Sequence, residues 1–299
     1  MPRIFEIEDN RPCELEECVD ALEHEGFDPR EEESLAFAAS WLRRLGNNRT
    51  FLGDILLDEL KTRHREDDSR TSYGPQVIML SRPGGDFFVR ANIWPSEEEH
   101  MLRASGRDSF VYELPHDHNF DFLTVGYFGP GYWSDYYEFD YEAIDGWVRE
   151  PAGLRFIERS RLETGKLMHY RAHLDVHRQL PPDELSVSLN ILHVSRAQAW
   201  FDQYRFDTDA NTVGGIVNEG ASECLLRIAA GLGCEEGLDL AEHFARHHPS
   251  DRMRLAAWEA RAGAEPDLAA RDALWREAEL SGSRMVAMEA KARRAALAA

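Results

Sequence analysis

The chain has 299 residues, with 55 Asp and Glu against 34 Lys and Arg and a formal charge of −21. A balance this negative repels phosphate backbones and anionic lipid, and no basic patch overrides it, so nucleic acid and membrane surfaces are not expected partners. The hydrophobic share of 43% is that of a globular protein. No apolar run approaches the roughly 18 residues of a membrane span, and the acidic start MPRIFEIEDNRPCELEE is unlike a signal or transit peptide, so the expected location is the cytoplasm.

Residues 1–70 carry 19 acidic against 10 basic side chains and show helical periodicity. Leu15, Cys18, Val19 and Leu22 share one helix face, and Leu35, Ala38, Trp41, Leu42 and Leu45 share another. Gly46-Asn47-Asn48 ends the second helix, and a third is expected over Phe51 to Lys61. The acidic runs Glu31-Glu32-Glu33 and Glu66-Asp67-Asp68 are read as solvated helix starts and loop ends. Cys13, Cys18, Cys224 and Cys234 lack both Cys-x-x-Cys spacing and the density of a disulfide framework, and are expected to be reduced thiols.

From Pro75 the pattern changes to short runs rich in Val, Ile, Phe, Tyr and Trp. Strands are expected over Gln76–Leu80, Asp86–Trp94, Ser109–Leu114, Phe120–Phe128, Tyr132–Phe139, Leu154–Arg161, Lys166–His177, Leu185–His193 and Ala199–Phe206. Pro83-Gly84-Gly85, Gly129-Pro130-Gly131 and Pro181-Pro182-Asp183 punctuate them. Nine strands without long intervening helices argue for a sandwich or barrel of the jelly-roll type rather than a βαβ sheet. After Gly214 the helical period returns, with helices expected from about Ala221, Leu238, Ser250, Asp267 and Ser283. The expected fold class is thus α+β: an acidic helical segment at 1–74, an antiparallel β-barrel at 75–213 and a helical bundle at 214–299.

The candidate chemistry lies in the β region. In Pro115-His116-Asp117-His118 the two imidazoles, two residues apart, face one side of an extended chain and suit a divalent transition metal. His169, His173 and His177 also fall at even spacing, so a regular strand would align them with Arg171 and Asp175; only one need bind metal. Asp121 is a candidate additional carboxylate ligand. His243 and His247 lie four apart on a predicted helix with no third ligand evident, and are read as exposed helix-end residues.

HDHNFDFLTVGYFGPG resembles the first motif of the cupin superfamily, a His-x-His pair followed by a strand and a glycine turn, and DVHRQLPPDELSVSLN resembles the second, a lone histidine before a turn and the last strand. The resemblance implies a cupin-like barrel over about 130 residues, with His116, His118 and His177 as the three metal ligands and His173 as the alternative to His177. The glutamate that ordinary cupins place three or four residues after the pair is replaced by Phe122 and Leu123. This departure looks more like the three-histidine, ferrous thiol dioxygenase branch, and Arg90 stands upstream of the pair much as that branch's substrate-carboxylate arginine does.

Three neutral ligands leave a divalent ion its full charge and open positions, which suits an anionic substrate, small or peptide-borne. Arg90 or Arg171 would fix a carboxylate, and Tyr132, with Tyr127, Tyr136 and Tyr137, would supply hydroxyls. Fe(II) is the first candidate metal, with Zn, Mn and Ni as alternatives. The expected function is a metal-dependent oxygenase; a redox-neutral isomerase or lyase on the same ligands, and a non-catalytic binding module whose helical region recruits a protein, stay open. Apolar barrel faces also leave a homodimer open.

Overall fold

A computed structural model describes residues 1–62, 76–82, 85–218 and 220–298. The acidic run Glu66-Asp67-Asp68 and the Pro83-Gly84 part of one expected turn lie outside the described residues. The chain divides into two compact units, one of residues 1–140 and 154–201, the other of 141–153 and 202–299. No helix among the described residues is long and apolar enough to cross a membrane.

The first unit begins with strand β1 (Arg3–Phe5) and helices α1 (Leu15–Glu25), α2 (Glu32–Asn47) and α3 (Phe51–Thr62). Then come β2 (Val77–Met79), β3 (Phe87–Trp94), a short helix α4 (His100–Ser105), β4 (Phe122–Phe128) and β5 (Tyr132–Glu138). Strands β6 (Arg155–Leu162), β7 (Leu167–Tyr170), β8 (Asp175–Gln179) and β9 (Ser186–His193) complete it. All pairings are antiparallel, in a six-stranded sheet of order β1-β7-β4-β9-β3-β2 and a three-stranded sheet of order β6-β5-β8.

Strand alternation divides the apolar residues of the large sheet between two cores. Val89, Ala91, Leu123, Val125, Leu189 and Ile191 point at Leu22, Leu35, Ala38, Leu42 and Leu45, the buried stripes of α1 and α2. The opposite face contributes Trp94, Phe122, Met168, Tyr170 and Leu192, which pack with Tyr132, Tyr136 and Leu162 of the small sheet. The layers are therefore helices, large sheet and small sheet.

Antiparallel strands and a mixed α and β composition agree with expectation, but the barrel is not closed: the two ladders stay separate among the described residues. The reason is local. Ser109–Leu114, expected as a strand, contains part of a 3-10 turn (Arg107–Phe110) and then positive φ at Val111 (57°) and Glu113 (60°), which an extended ladder cannot accommodate. Beyond it the chain touches the edge of β8 through one isolated bridge, His116 with His177. Two other expected strands are interrupted. Lys166–His177 breaks into β7 and β8, and Ala199–Phe206 overlaps a 3-10 turn (Arg196–Trp200) before pairing starts at Tyr204. Strand β1, helix α4 and, in the second unit, the strand Thr212–Ile216 carry too few residues for periodicity to reveal.

The second unit holds the hairpin β10 (Tyr204–Asp207) and β11 (Thr212–Ile216), then α5 (Ala221–Gly231), α6 (Glu235–His247), α7 (Asp251–Ala264), α8 (Leu268–Ala278) and α9 (Arg284–Leu297). The expected starts at Ser250, Asp267 and Ser283 are N-caps whose side chains accept from the amides of Met253, Ala270 and Val286. Trp258, Trp275, Val286 and a set of alanines form its core.

Candidate metal centre

His116 and His177 are backbone partners: each amide donates to the other's carbonyl, at 3.1 and 3.0 Å. The exchange sets both side chains on one face of the β8 edge, and period-two alternation brings His118 to the same side. The carbonyl of His118 accepts from the His173 amide at 2.9 Å, which ties down the far end of the segment. The result is a cluster of three buried histidines that each offer one ring nitrogen, the three lying within 4.8 Å of one another.

The Nε2 atoms converge. His118 Nε2 is 3.0 Å from His177 Nε2, which is 3.3 Å from His116 Nε2. The Nδ1 of His116 lies 2.8 Å from the Leu114 carbonyl, so it carries the proton and donates, leaving Nε2 as a bare lone pair. Burial lowers the pKa of all three rings; for His118 the neighbouring His116, His177 and Arg90 add to the effect, and for His177 His116 does. The cluster is therefore neutral at pH 7. One proton can bridge His118 and His177, but the His116 lone pair then still faces another nitrogen. A shared cation satisfies all three donors at once. Nitrogens about 2.0–2.1 Å from one ion, at angles of about 90–109°, lie about 2.8–3.4 Å apart, and the two spacings through His177 fall in that interval. The donor set thus fits a divalent transition metal, although only His116 has the outward ring nitrogen hydrogen-bonded as orienting contacts usually provide.

Aromatic rings wall the cluster. Phe120 and Phe122 lie 5.0 and 4.9 Å from His118, and Tyr170 lies 4.9 Å from His177 and stacks on Phe122. Tyr136, directly across the ladder from His177, shares a 2.9 Å hydrogen bond with the Tyr170 hydroxyl. Burial pushes the Tyr136 phenol up to about 12 and Tyr170 well above its ordinary value, so both stay protonated.

Arg90 projects from β3 on the side opposite Val89 and Ala91, and its charge acts on both His118 and Tyr132. Tyr132 is buried against Trp94, ring centroids 4.2 Å apart. Arg171 is engaged elsewhere, in ion pairs with Asp175 and Glu138.

The expected alignment of His169, His173 and His177 on one strand face does not occur. His173 has φ 60°, which breaks the strand, and its ring packs 5.0 Å from Phe201. His169 stays in β7 and meets Asp121 at 2.9 Å, so that carboxylate is turned to His169. Asp121, His173 and His193 instead line a separate pocket of about 1160 Å³ with Asp28, Arg30 and Phe201. Gln179, buried with its amide nitrogen 3.1 Å from His177 Nε2, was not singled out in the sequence. The same period-two rule that paired His116 with His118 would have found it, because it stands two residues beyond His177.

The cluster makes a pH dependence testable. The unfolded chain takes up protons near the ordinary histidine pKa of about 6.5, whereas the folded rings resist, so stability is present above that value and falls as pH drops below it. Each ring that stays neutral costs about 1.4 kcal/mol per pH unit in that window. In chelator-treated protein, the urea midpoint should be lower at pH 5.5 than at 7.5, and replacing all three histidines by Gln should flatten the difference. An unchanged midpoint in the unsubstituted protein would contradict it.

No family model and no curated protein sequence matches the chain. Among solved structures it is similar to the DMSP lyase DddQ from Ruegeria pomeroyi DSS-3, at 10% identity and TM-score 0.26 over 44% of this chain and 52% of that one. It is also similar to a chain described with the DMSP lyases RdDddP and RnDddQII, at 14% and 0.30 over 64% and 97%. A third is cobalt-bound HppE, at 12% and 0.22 over 60% and 96%. Likenesses this slight assign no activity to the chain, which leaves the chemistry to its own residues.

Proposed function

We propose that the chain is a metal-dependent enzyme of the cupin type, in which His116, His118 and His177 hold a divalent transition metal, ferrous iron first, and which oxidises a small or peptide-borne anionic substrate. The observation that carries the reading is the convergence of three neutral, buried Nε2 atoms at 3.0 and 3.3 Å spacings. When bound, such an ion supplies Lewis-acid polarisation and, as iron, dioxygen activation. The protein's part is to keep all three ligands uncharged, so that the site retains a net positive charge and favours an anion. Arg90, whose charge bears on His118 and Tyr132, would bind the substrate carboxylate, while Phe120, Phe122 and Tyr170 limit water.

A second reading, a redox-neutral lyase or isomerase on the same ligands, is favoured by one feature. The linked hydroxyls of Tyr136 and Tyr170 beside His177 can hold and pass a proton. Elemental mass spectrometry on protein purified anaerobically without an affinity tag, followed by oxygen-electrode screening of small carboxylates and thiols, separates the two. About one iron per chain and substrate-dependent oxygen uptake support the oxygenase; stoichiometric zinc or manganese with turnover but no oxygen uptake supports the second reading. Absence of metal after incubation with each candidate ion would remove both and leave a binding module.

A further inference from the structure

Gln179 is two residues beyond His177 on β8 and faces the same interior, only 3% exposed. Its amide nitrogen sits 3.1 Å from His177 Nε2, the same atom that the other two imidazoles approach. Its amide oxygen is buried and has no hydrogen-bond partner among the described residues. A buried carboxamide oxygen left in this way is costly, because its desolvation is uncompensated. The two ends of a carboxamide differ little in shape, and a half-turn about the last side-chain torsion exchanges oxygen for nitrogen.

With a cation on His177 Nε2 the arrangement cannot persist. The lone pair that accepts from the Gln179 N–H is then engaged, and the amide's positive end faces a positive ion. The half-turn removes both conflicts: the N–H leaves, and the orphaned oxygen points where the N–H had been. We infer that Gln179 is a fourth donor to the metal, a neutral oxygen ligand on β8 in addition to His116, His118 and His177. This inference rests on the three-histidine reading and deepens it. It implies a mixed site of three nitrogens and one oxygen that is still uncharged, so the preference for an anionic substrate is kept while one open position is filled.

The sign of the effect distinguishes the possible roles. Were the amide only a hydrogen-bond donor competing for His177 Nε2, removing it would tighten metal binding; as a ligand, removing it weakens binding. Zn(II) affinity is measured on the full-length protein by competition with a chromophoric chelator, for wild type, Gln179→Leu, Gln179→Glu and His116→Ala. The expected result is at least about 10-fold weaker binding for Gln179→Leu and tighter binding for Gln179→Glu, which keeps the oxygen donor and adds a charge. Opposite shifts in two variants at one position cannot both come from misfolding, and circular dichroism of the metal-free forms checks the fold directly. Wild-type binding that Gln179→Leu leaves unchanged or tightens would overturn the fourth ligand while leaving the three-histidine site in place. Wild type binding no better than His116→Ala would overturn the site and the inference together.

Discussion

His177→Ala should abolish specific metal uptake and with it the thermal stabilisation that metal confers. His177 is the hub of the cluster: its Nε2 lies within 3.0–3.3 Å of both other imidazoles, and its backbone exchanges two hydrogen bonds with His116. A metal present at 100 times its dissociation constant stabilises the native state by about 2.7 kcal/mol, a rise of about 5–10 °C in the melting temperature of a unit this size. The wild type should show that rise with zinc or ferrous iron, and His177→Ala should show none. Because the backbone pairing does not depend on the side chain, the metal-free variant should still fold, losing about 1–3 kcal/mol to the cavity. A purely structural histidine network predicts the same destabilised variant but a wild type whose melting temperature is indifferent to metal. Differential scanning calorimetry with and without metal decides between them.

What could be read from the sequence follows how local each determinant is. Ser250, Asp267 and Ser283 announce helix starts because a cap needs only its own side chain and an amide three residues on. His116 and His118 share a side for the equally local reason of strand alternation. That His177, rather than His169 or His173, meets them depends on the positive φ at His173, a conformation uncommon in any residue but glycine. The open barrel has the same origin in Val111, a β-branched residue held at φ 57°. There the cap of the 3-10 turn, with the Val111 amide donating back to the Arg107 and Asp108 carbonyls, overrides a propensity that points to a strand. Gln179 is inconspicuous for a different cause: a carboxamide has no charge and no titration, and its place shows only in the contact of its nitrogen with His177 and the unpartnered state of its oxygen among the described residues.

Gly131→Ala should cost more than about 3 kcal/mol, more than the conformational penalty alone. Gly129-Pro130-Gly131 carries the chain from β4 in the large sheet to β5 in the small one. At Gly131 φ is +80°, and an added Cβ would stand 2.0 Å from the Leu162 carbonyl oxygen, 2.7 Å from its carbon and 2.8 Å from the Glu163 Cα. Every one of these obstacles is backbone, so no rotamer change relieves the clash. Leu162 is also the register partner of Tyr132, and the Gly131 amide donates to Ser186 Oγ at 3.0 Å, so the strain can be released only by moving β5 against its neighbours. Gly26→Ala is the matched control. That glycine has φ +79° and ψ 168° after α1, with nothing within 4 Å of the added methyl, and its substitution should cost only the conformational penalty of about 1–3 kcal/mol. Urea titrations of both variants isolate the steric part as the difference between them, and equal losses would refute it. Strand β5 also carries Tyr136 opposite His177, so a displaced β5 should weaken metal binding in Gly131→Ala while Gly26→Ala keeps the wild-type affinity.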